Sequence, residues 1–359
     1  MARIDSFLRL VAEQKASDFH FAAGTEPTIR HDGDLVKLPF RVLSEEEAKR
    51  FLFEILTPEQ KTMFAKARQL DFAYVLEGVA RFRVNMFMQT RGVGAVFRII
   101  PNKIPTMDQL RLPQIIKKLL NQANGLVLVT GATGSGKSTT LAAIVNEINA
   151  TTKKHIITVE DPVEFVHTSQ ESVVTQRQVG RDVDSFASAL RSALRESPDV
   201  VVVGEMRDFE TVSLAVSAAE TGVLVFGTLH TNSATKAVDR IIDICPDELH
   251  EQMRGVLSVL LKGVIAQNLC KRASGDGRVA ITEIVTQNYA VSNMIRENKV
   301  HQLDALLQSS DLATSGMQSL DRCLYAHAKE GQITIEDALA LSMYPDILKP
   351  QLDALPDAV

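Results

Sequence analysis

The segment Gly131–Ser138, with the letters GATGSGKS, constrains the fold of this chain more than any other feature. An apolar run, Leu126–Thr130, leads directly into it, and the residues from Ser138 onward have the apolar spacing of a helix. Glycines allow backbone N–H groups to wrap around phosphate groups, and the N-terminus of a helix adds partial positive charge. The order strand, glycine-rich loop, helix is the context in which the pattern G-x-x-x-x-G-K-[ST] binds nucleotide phosphates. The sequence therefore predicts a phosphate-binding loop.

The predicted loop gives its residues separate roles. Lys137 would reach the outer phosphates of the nucleotide, and the hydroxyl group of Ser138 would ligate Mg²⁺. The expected ligands are therefore ATP and Mg²⁺. The residues predicted to contact the nucleotide are Gly131, Ala132, Thr133, Gly134, Ser135, Gly136, Lys137, Ser138 and Thr139.

Apolar strands alternate with helical segments from Gly125 onward, which indicates a parallel sheet covered on both faces. The predicted strands are Gly125–Thr130, His155–Glu160, Asp199–Glu205 and Val223–His230. Ligands of open α/β sheets bind at the carboxyl ends of the strands. Glu205 ends one strand there, and we expect it to orient and deprotonate an attacking water molecule. Gly204 occupies the position at which an Asp usually helps to hold Mg²⁺.

Other polar residues follow the predicted strands. Glu160, Asp161 and Glu164 are clustered carboxylates that a nearby cation would stabilise, although a solvated loop is the alternative. His230 is at a strand tip, where it could sense a phosphate or simply end the strand. Arginines are candidates to stabilise a transferring phosphate, and any one of them could instead be a solvated surface residue. The candidates are Arg83, Arg98, Arg177, Arg181, Arg191, Arg195 and Arg207.

The rest of the chain divides by its pattern. Residues 1–100 alternate short strand and helix patterns and predict a compact α/β domain. Residues 101–112 begin with two prolines in five positions, which predicts a linker. Residues 113–288 carry the parallel-sheet pattern, and residues 289–359 are predicted to be helical.

Composition argues against some classes of protein. The net charge is −5 and aromatic residues make up 5% without any Trp, which is a poor basis for binding nucleic acid. The cysteines Cys245, Cys270 and Cys323 form no C-x-x-C pair, so we expect buried free thiols. The N-terminus lacks the apolar core of a signal peptide, and the apolar runs are of strand length. We therefore expect a cytoplasmic protein.

Three further motifs follow the phosphate-binding loop: Glu160-Asp-Pro-Val-Glu164, Val203-Gly-Glu-Met-Arg-Asp208 and Gly227-Thr-Leu-His-Thr-Asn232. In this order they resemble the ATPase superfamily of type II/IV secretion systems, and within it the PilT-type retraction ATPases of type IV pili. The similarity covers nearly the whole chain. It includes Ala16–His20, Arg81–Asn85 and Ala290–Gln302, the last of which is similar to the C-terminal signature of retraction ATPases.

The resemblance implies a PAS-like N-terminal domain, a RecA-like ATPase core and a homohexameric ring that powers pilus retraction and twitching motility. Its partner would be the platform protein of the inner membrane, which would place the ring at the cytoplasmic face of that membrane. The resemblance also implies residue roles. Lys137, Glu205, Glu164 and His230 take catalytic positions, Ser138 the metal-binding position, and Arg83 and Arg98 the nucleotide-contacting positions of the N-terminal domain.

Several alternatives stay open. Assembly and secretion ATPases usually carry an additional N-terminal domain and a tetracysteine zinc module, and neither pattern is found here, which favours retraction. The sequence departs from the retraction pattern at Ser197, Val223, Ser292, Met294 and Asn298, of which Val223 replaces the first histidine of a two-histidine motif. A PilU-like accessory paralogue, a pilus-extension or type II secretion ATPase, a non-catalytic nucleotide-binding regulator and a DNA translocase are the other interpretations.

Overall fold

The computed structural model describes residues 2–14, 16–31, 34–100, 103–310 and 315–355. The chain forms two compact units. One comprises Met1–Lys103 with the short segment Pro162–Val166, and the other comprises Ile104–Asp161 with His167–Val359. The predicted domain limits at residues 100, 112 and 288 stay predictions, and Pro101 and Asn102 of the predicted linker lie outside the described residues.

The first unit contains a six-stranded antiparallel sheet in the order β3-β2-β1-β6-β5-β4. Phe19, Phe21, Phe82 and Phe97 of its strands are fully buried in an aromatic-rich core. Its elements are α1 (Asp5–Glu13), β1 (Asp18–Ala22), β2 (Thr28–His31), β3 (Asp34–Lys37), α2 (Glu45–Phe53), α3 (Pro58–Ala67), β4 (Gln69–Leu76), β5 (Ala80–Gln89) and β6 (Gly92–Ile100).

The second unit contains a seven-stranded sheet in the order β13-β12-β7-β11-β10-β8-β9. All neighbouring strands are parallel except β12 and β13, which are antiparallel. The strands are β7 (Gly125–Thr130), β8 (His155–Glu160), β9 (Val173–Gln178), β10 (Val200–Val203), β11 (Leu224–Leu229), β12 (Leu261–Lys271) and β13 (Arg278–Thr286). The helices up to β13 are α4 (Ile115–Leu120), α5 (Lys137–Thr151), α6 (Phe186–Ala193), α7 (Phe209–Glu220), α8 (Ala234–Ile244) and α9 (His250–Leu260), with a 3₁₀ turn at Asp247–Leu249.

The four strands predicted from apolar runs are present, and every residue of β7, β10 and β11 is buried. This burial is what a parallel sheet covered by helices on both faces requires. The prediction did not include β9, β12 or β13. β12 begins directly after the last residue of α9, so no turn residue marks the change from helix to strand.

The chain after β13 is helical in its described part, as predicted. It contains α10 (Tyr289–Arg296), a 3₁₀ turn (Val300–Gln302), α11 (Leu303–Ser309), α12 (Leu320–Lys329), α13 (Ile335–Leu341) and α14 (Pro345–Asp353). α12 begins at Leu320, because the side chain of Ser319 accepts the N–H group of Arg322 and caps the helix there. Within the described residues, no helix has the length and apolar character needed to cross a membrane.

Candidate functional site

The predicted phosphate-binding loop joins β7 to α5 in the second unit. β7 lies between β12 and β11, so the loop emerges near the middle of the sheet, at the carboxyl ends of the parallel strands. This is the edge at which open α/β sheets bind ligands. Thr140 donates its N–H group to Gly136, so the preceding N–H groups of the first turn of α5 have no carbonyl of their own helix to bind. Such groups form an anion-binding site.

Two glycines allow the close packing of this loop. Gly131 has φ 146°, and a Cβ atom there would lie 2.3 Å from the carbonyl oxygen of Gln267. Gly136 has φ 88°, and its Cβ would lie 2.8 Å from Nε2 of the same glutamine. A side chain at either position would be strained by the positive φ, and at Gly131 it would also clash with the backbone of β12.

Lys137 and Ser138 occupy the first turn of α5. Nζ of Lys137 donates to the carbonyl oxygens of Gly131 (2.7 Å) and Ala132 (2.9 Å), so its ammonium group lies over the loop. The Ser138 side chain is exposed. Both side chains are therefore placed where the loop can receive phosphate groups and an accompanying cation.

Gln267 of β12 is a site residue that the sequence reasoning missed. Its buried amide group donates to the carbonyl oxygen of Ser135 (2.7 Å) and accepts from Oγ1 of Thr140 (2.7 Å). In a trans peptide the C=O group and the following N–H group point in opposite directions. Because the Ser135 carbonyl points toward Gln267, the N–H group of Gly136 points away from β12. Gln267 is 130 residues from the loop in sequence, and no local motif signals the contact.

Glu205 and His230 are brought together by the ends of β10 and β11. Nε2 of His230 lies 3.0 Å from one carboxylate oxygen of Glu205, and Nη2 of Arg207 lies 2.5 Å from the other. The carboxylate is therefore held on both sides, by one basic residue from its own turn and by one from the neighbouring strand tip.

The environment of Glu205 has opposing effects on its pKa. Partial burial raises the pKa, whereas the hydrogen bond from Arg207 and the charges of His230 and Arg207 lower it, and the net pKa is below its usual value. Glu205 is consequently ionised at neutral pH and can accept a proton.

The turn that carries Glu205 is packed tightly against β11. Oγ1 of Thr228 donates to the carbonyl oxygen of Gly204, and the N–H group of Met206 donates to the carbonyl oxygen of Thr228 (3.0 Å). The Met206 side chain covers Gly227, where a Cβ atom would lie 2.6 Å from its terminal methyl group. These contacts give the Glu205 backbone a defined position relative to His230.

The three clustered carboxylates do not form one group. Glu160 accepts hydrogen bonds from Thr158 (2.7 Å) and Gln176 (3.2 Å) of the second unit. Glu164 belongs to the first unit, where it lies 3.6 Å from Nη1 of Arg83. Among the described residues, no cluster of three or more His, Cys, Asp or Glu side chains could hold a metal ion.

Arg83 and Arg98 are direct cross-strand neighbours in the first unit. Nε of Arg98 donates to the largely buried carboxylate of Asp18 at 2.8 Å, which offsets the repulsion between the two guanidinium groups. Three of the arginines from β9 to α6 form ion pairs within the second unit: Arg177 with Glu196, Arg181 with Asp182 and Arg191 with Glu210. Arg207 pairs with Glu205 of its own unit.

Val223 and His230 are at opposite ends of β11. Val223 is a buried residue directly before the first residue of β11, and His230 directly follows the last residue. At ~3.3 Å per residue, the two positions are about 20 Å apart. A histidine at position 223 would therefore not reach Glu205 of the same chain.

Comparisons with known proteins agree on one family. The profile of the family described as type II/IV secretion system protein matches residues 2–339. The type IV pilus retraction ATPase PilT of Pseudomonas aeruginosa is 47% identical over 96% of this chain and 99% of its own length. A twitching motility protein of Neisseria gonorrhoeae is 47% identical, covering 93% of this chain and 88% of the relative. The type IV pilus ATPase PilU of Pseudomonas aeruginosa is 41% identical, covering 94% and 87%.

Solved structures lead to the same family. A crystal structure of the pilus retraction motor PilT with bound ADP matches with a TM-score of 0.88 and 44% identity, covering 98% of this chain and 99% of that chain. The ATPase DotB of Legionella pneumophila matches with a TM-score of 0.81 and 28% identity, covering 95% and 96%. The predicted α/β fold class, with its parallel core sheet and helical C-terminal region, is confirmed. The chain belongs to the type II/IV secretion system protein family, in which it is a P-loop ATPase of the PilT type.

Proposed function

We propose that this chain is the ATP-hydrolysing subunit of a motor that retracts a type IV pilus. The observation that carries the proposal is the position of the ionised Glu205, held by Arg207 and His230 beside a complete phosphate-binding loop. The PilT relative, which is 47% identical over nearly the whole chain, is named as a pilus retraction ATPase. This supports pilus retraction as the process that the ATP hydrolysis would power.

The chemistry follows from the geometry. The first-turn N–H groups of α5 and the ammonium group of Lys137 would bind the β- and γ-phosphates and stabilise the charge that develops on them. Glu205 would accept a proton from a water molecule that attacks the γ-phosphorus, and the bond to the β-γ bridging oxygen would break, which yields ADP and phosphate. His230 would hold Glu205 and respond when its carboxylate changes charge.

Mg²⁺ fits the site through the exposed hydroxyl group of Ser138. When bound, the ion would neutralise charge between the β- and γ-phosphates. The described residues contain no cage of acidic ligands, which agrees with an ion held mainly by phosphates and water. The loop residues 131–139 would then surround the nucleotide.

The motor would be a homohexamer that acts on the inner-membrane platform protein of the pilus machine, from the cytoplasmic face. In such a ring, Arg83 and Arg98 of one subunit would complete the nucleotide site of its neighbour, and Glu164 would assist as the partner of Arg83. The nucleotide would bind with different free energy to the open and closed states of the subunits, and this difference would drive the movement. If Arg98→Ala left ATP turnover unchanged in assembled rings, this shared site would be refuted.

A PilU-like accessory ATPase is the second candidate. The observation that favours it is Val223, which replaces the first histidine of the two-histidine motif, although PilU is less similar to this chain than PilT is. Deletion of the gene distinguishes the two. Loss of a retraction motor leaves cells with excess pili that do not move, whereas loss of an accessory subunit weakens retraction.

Steady-state ATP hydrolysis by wild type and by Glu205→Gln tests the proposal, with the oligomer mass measured in the same samples. The amide cannot accept a proton, so we expect kcat to fall about 10²- to 10⁴-fold while ATP still binds to a hexamer. Glu210→Gln, on the exposed surface, is the control. If Glu205→Gln hydrolysed ATP with the kcat of wild type, the assignment of Glu205 would be contradicted.

A further inference from the structure

Glu283 of β13 is a buried carboxylate that the ATPase chemistry does not use directly. The residue is 3% exposed. One of its oxygens accepts the N–H group of Ala234 at 2.7 Å. Ala234 is the first residue of α8, and the first N–H groups of a helix have no carbonyl of their own helix to bind. Glu283 therefore satisfies one of these groups and fixes the N-terminus of α8 on β13.

The strand register places Glu283 near the phosphate-binding loop. Glu283 is paired with Ala266 of β12, and Ala266 is paired with Thr130, the last residue of β7. The three residues form one row across the sheet, and directly paired residues have their side chains on the same face. At ~4.8 Å between neighbouring strands, the backbone of Glu283 is about 10 Å from the residue that precedes the loop. The carboxylate that fixes α8 is therefore close to the nucleotide site.

The segment between β11 and α8 is held at both ends. It consists of residues 230–233, which we call the His230 loop. At its start, the carbonyl oxygen of Leu229 accepts the N–H group of the first residue of the phosphate-binding loop at 3.3 Å. At its end, the N–H group of Ala234 is bound by Glu283. Because the loop is short, the position of the His230 backbone depends on both bonds.

Other polar side chains around the loop do not take over the second bond. The hydroxyl group of Thr231 is buried and has no hydrogen-bond partner among the described residues. The side chain of Ser233 accepts the N–H group of Lys236 at 3.3 Å, which caps α8. Asp304 of α11 accepts from Oγ1 of Thr235 at 2.6 Å, so it holds a side chain of α8 and not its backbone. The end of the loop is thus fixed by the carboxylate on β13.

The bond to Glu283 matters for the reaction because the His230 loop carries a contact to Glu205. Nε2 of His230 lies 3.0 Å from one oxygen of the Glu205 carboxylate. Hydrogen bonds depend steeply on distance and angle, so a shift of the loop by about 1 Å would break this contact.

We propose that Glu283 is a positioning residue for ATP hydrolysis, which fixes the N-terminus of α8 and thereby holds His230 against Glu205. The inference rests on the proposed function, because it takes the contact between His230 and Glu205 as part of the hydrolysis site. The phosphate-binding loop does not depend on this contact to bind ATP. Loss of Glu283 should therefore lower kcat and leave KM nearly unchanged.

The test measures steady-state ATP hydrolysis by the full-length wild type, Glu283→Leu, His230→Ala and the double variant. Leucine has a similar volume but cannot accept the Ala234 N–H group. In each single variant kcat should fall about ten- to hundredfold, as expected from one lost hydrogen bond to a charged group, with KM within about twofold of wild type. Because both substitutions remove the same contact, kcat of the double variant should be within about threefold of His230→Ala, well above the product of the two effects.

Two further variants separate positioning from a general loss of structure. Burial raises the pKa of Glu283 to about 7, and both its ionised and its protonated form keep an oxygen that accepts an N–H group. The amide oxygen of Glu283→Gln can do the same, so kcat of this variant should stay within about threefold of wild type. Asp321→Leu is the matched control, because it removes a buried carboxylate that accepts the N–H groups of Met343 and Tyr344 in the C-terminal segment. It should keep the kcat of wild type.

Amide hydrogen exchange without nucleotide follows the loop independently of turnover. Exchange of residues 230–233 should be faster in Glu283→Leu than in wild type and unchanged in Asp321→Leu. If Glu283→Leu fails to fold, Glu283→Ala replaces it, because the smaller side chain leaves room for a water molecule on the Ala234 N–H group.

Three results would overturn the proposal: a wild-type kcat in the Glu283 variant, effects that multiply in the double variant, or an unchanged exchange rate of residues 230–233. If wild type binds ADP without hydrolysing ATP, the proposed function fails, and the exchange rates still decide whether Glu283 holds the His230 loop.

Discussion

At the scale of single residues, the basic groups around Glu205 decide whether it can act as a base. The same carboxylate contacts Arg207 and His230, and together they lower a pKa that burial alone would raise. A general base must be unprotonated before the reaction, so in the proposed role of Glu205 this balance would set the acid limit of activity.

Arg207→Ala should narrow the pH range of the enzyme. Without the guanidinium group the raising effect of burial is less opposed, so the pKa of Glu205 should increase. The acid limb of the profile of kcat/KM against pH should then move to higher pH. Arg191→Ala, which breaks only the pair with the exposed Glu210, is the control. An unmoved acid limb would show that another group controls it.

Gln267→Glu should weaken nucleotide binding. The substitution replaces the amide donor that faces the Ser135 carbonyl by an acceptor, and the loss of a buried hydrogen bond costs about 1–3 kcal/mol. We therefore expect the Kd for ADP to rise roughly 5- to 150-fold. Titration with a fluorescent ADP analogue measures the change, and Asn268→Ala on the same strand is the control. A Kd equal to that of wild type would mean that the loop keeps its shape without Gln267.

At the scale of elements, the phosphate-binding loop and the strands on either side of it could be predicted because their signals are local. The glycines of the loop and the apolar residues of β7, β10 and β11 are contiguous in sequence. β12 and β13 could not be predicted in the same way, because their burial depends on the pairing of β12 with β7, on the pairing of β13 with β12, and on the helices that cover them. The support from Gln267 was missed for this reason.

Gly131→Ala should damage the loop more than Gly134→Ala does. Both glycines have positive φ, 146° and 81°, but an added Cβ contacts the Gln267 backbone at 2.3 Å in the first case and has no neighbour within 4 Å in the second. Overpacking against backbone costs about 1–3 kcal/mol beyond the strain of the φ angle. Thermal unfolding and ADP binding of both variants measure the difference. Equal effects would mean that φ strain alone matters.

At the scale of the whole molecule, the parallel sheet assembles the site from distant segments. Residues 131–138, 205–207 and 228–230 meet because their strands end at one edge, and Gln267 and Glu283 join them from β12 and β13. The sequence predicted the loop from its glycine-rich motif, and Glu205 and His230 from their strand-end positions. It could not predict Glu283, because a glutamate within a strand does not reveal that its carboxylate accepts the N–H group of the first residue of α8.

The buried Glu283 should make the stability of the protein depend on pH. Its pKa is raised from 4.5 to about 7 in the folded chain, so the folded state holds this proton more tightly than the unfolded state does. The resulting contribution to stability is complete below pH 4.5 and is lost as the pH rises through about 7. The total is about 3 kcal/mol, at 1.36 kcal/mol for each pKa unit.

Glu283→Gln removes this titration, so wild type should lose about 3 kcal/mol relative to the variant between pH 4 and pH 8. Urea unfolding of full-length wild type and variant at both pH values measures the free energies of unfolding. Comparing the two proteins at each pH cancels the contributions of all other titrating groups. Glu336→Gln, at an exposed position on α13, is the control and should not change the pH dependence. If wild type and Glu283→Gln kept a constant difference across this range, Glu283 would be ionised in the folded protein throughout. The N-terminus of α8 would then be held by a permanent charge.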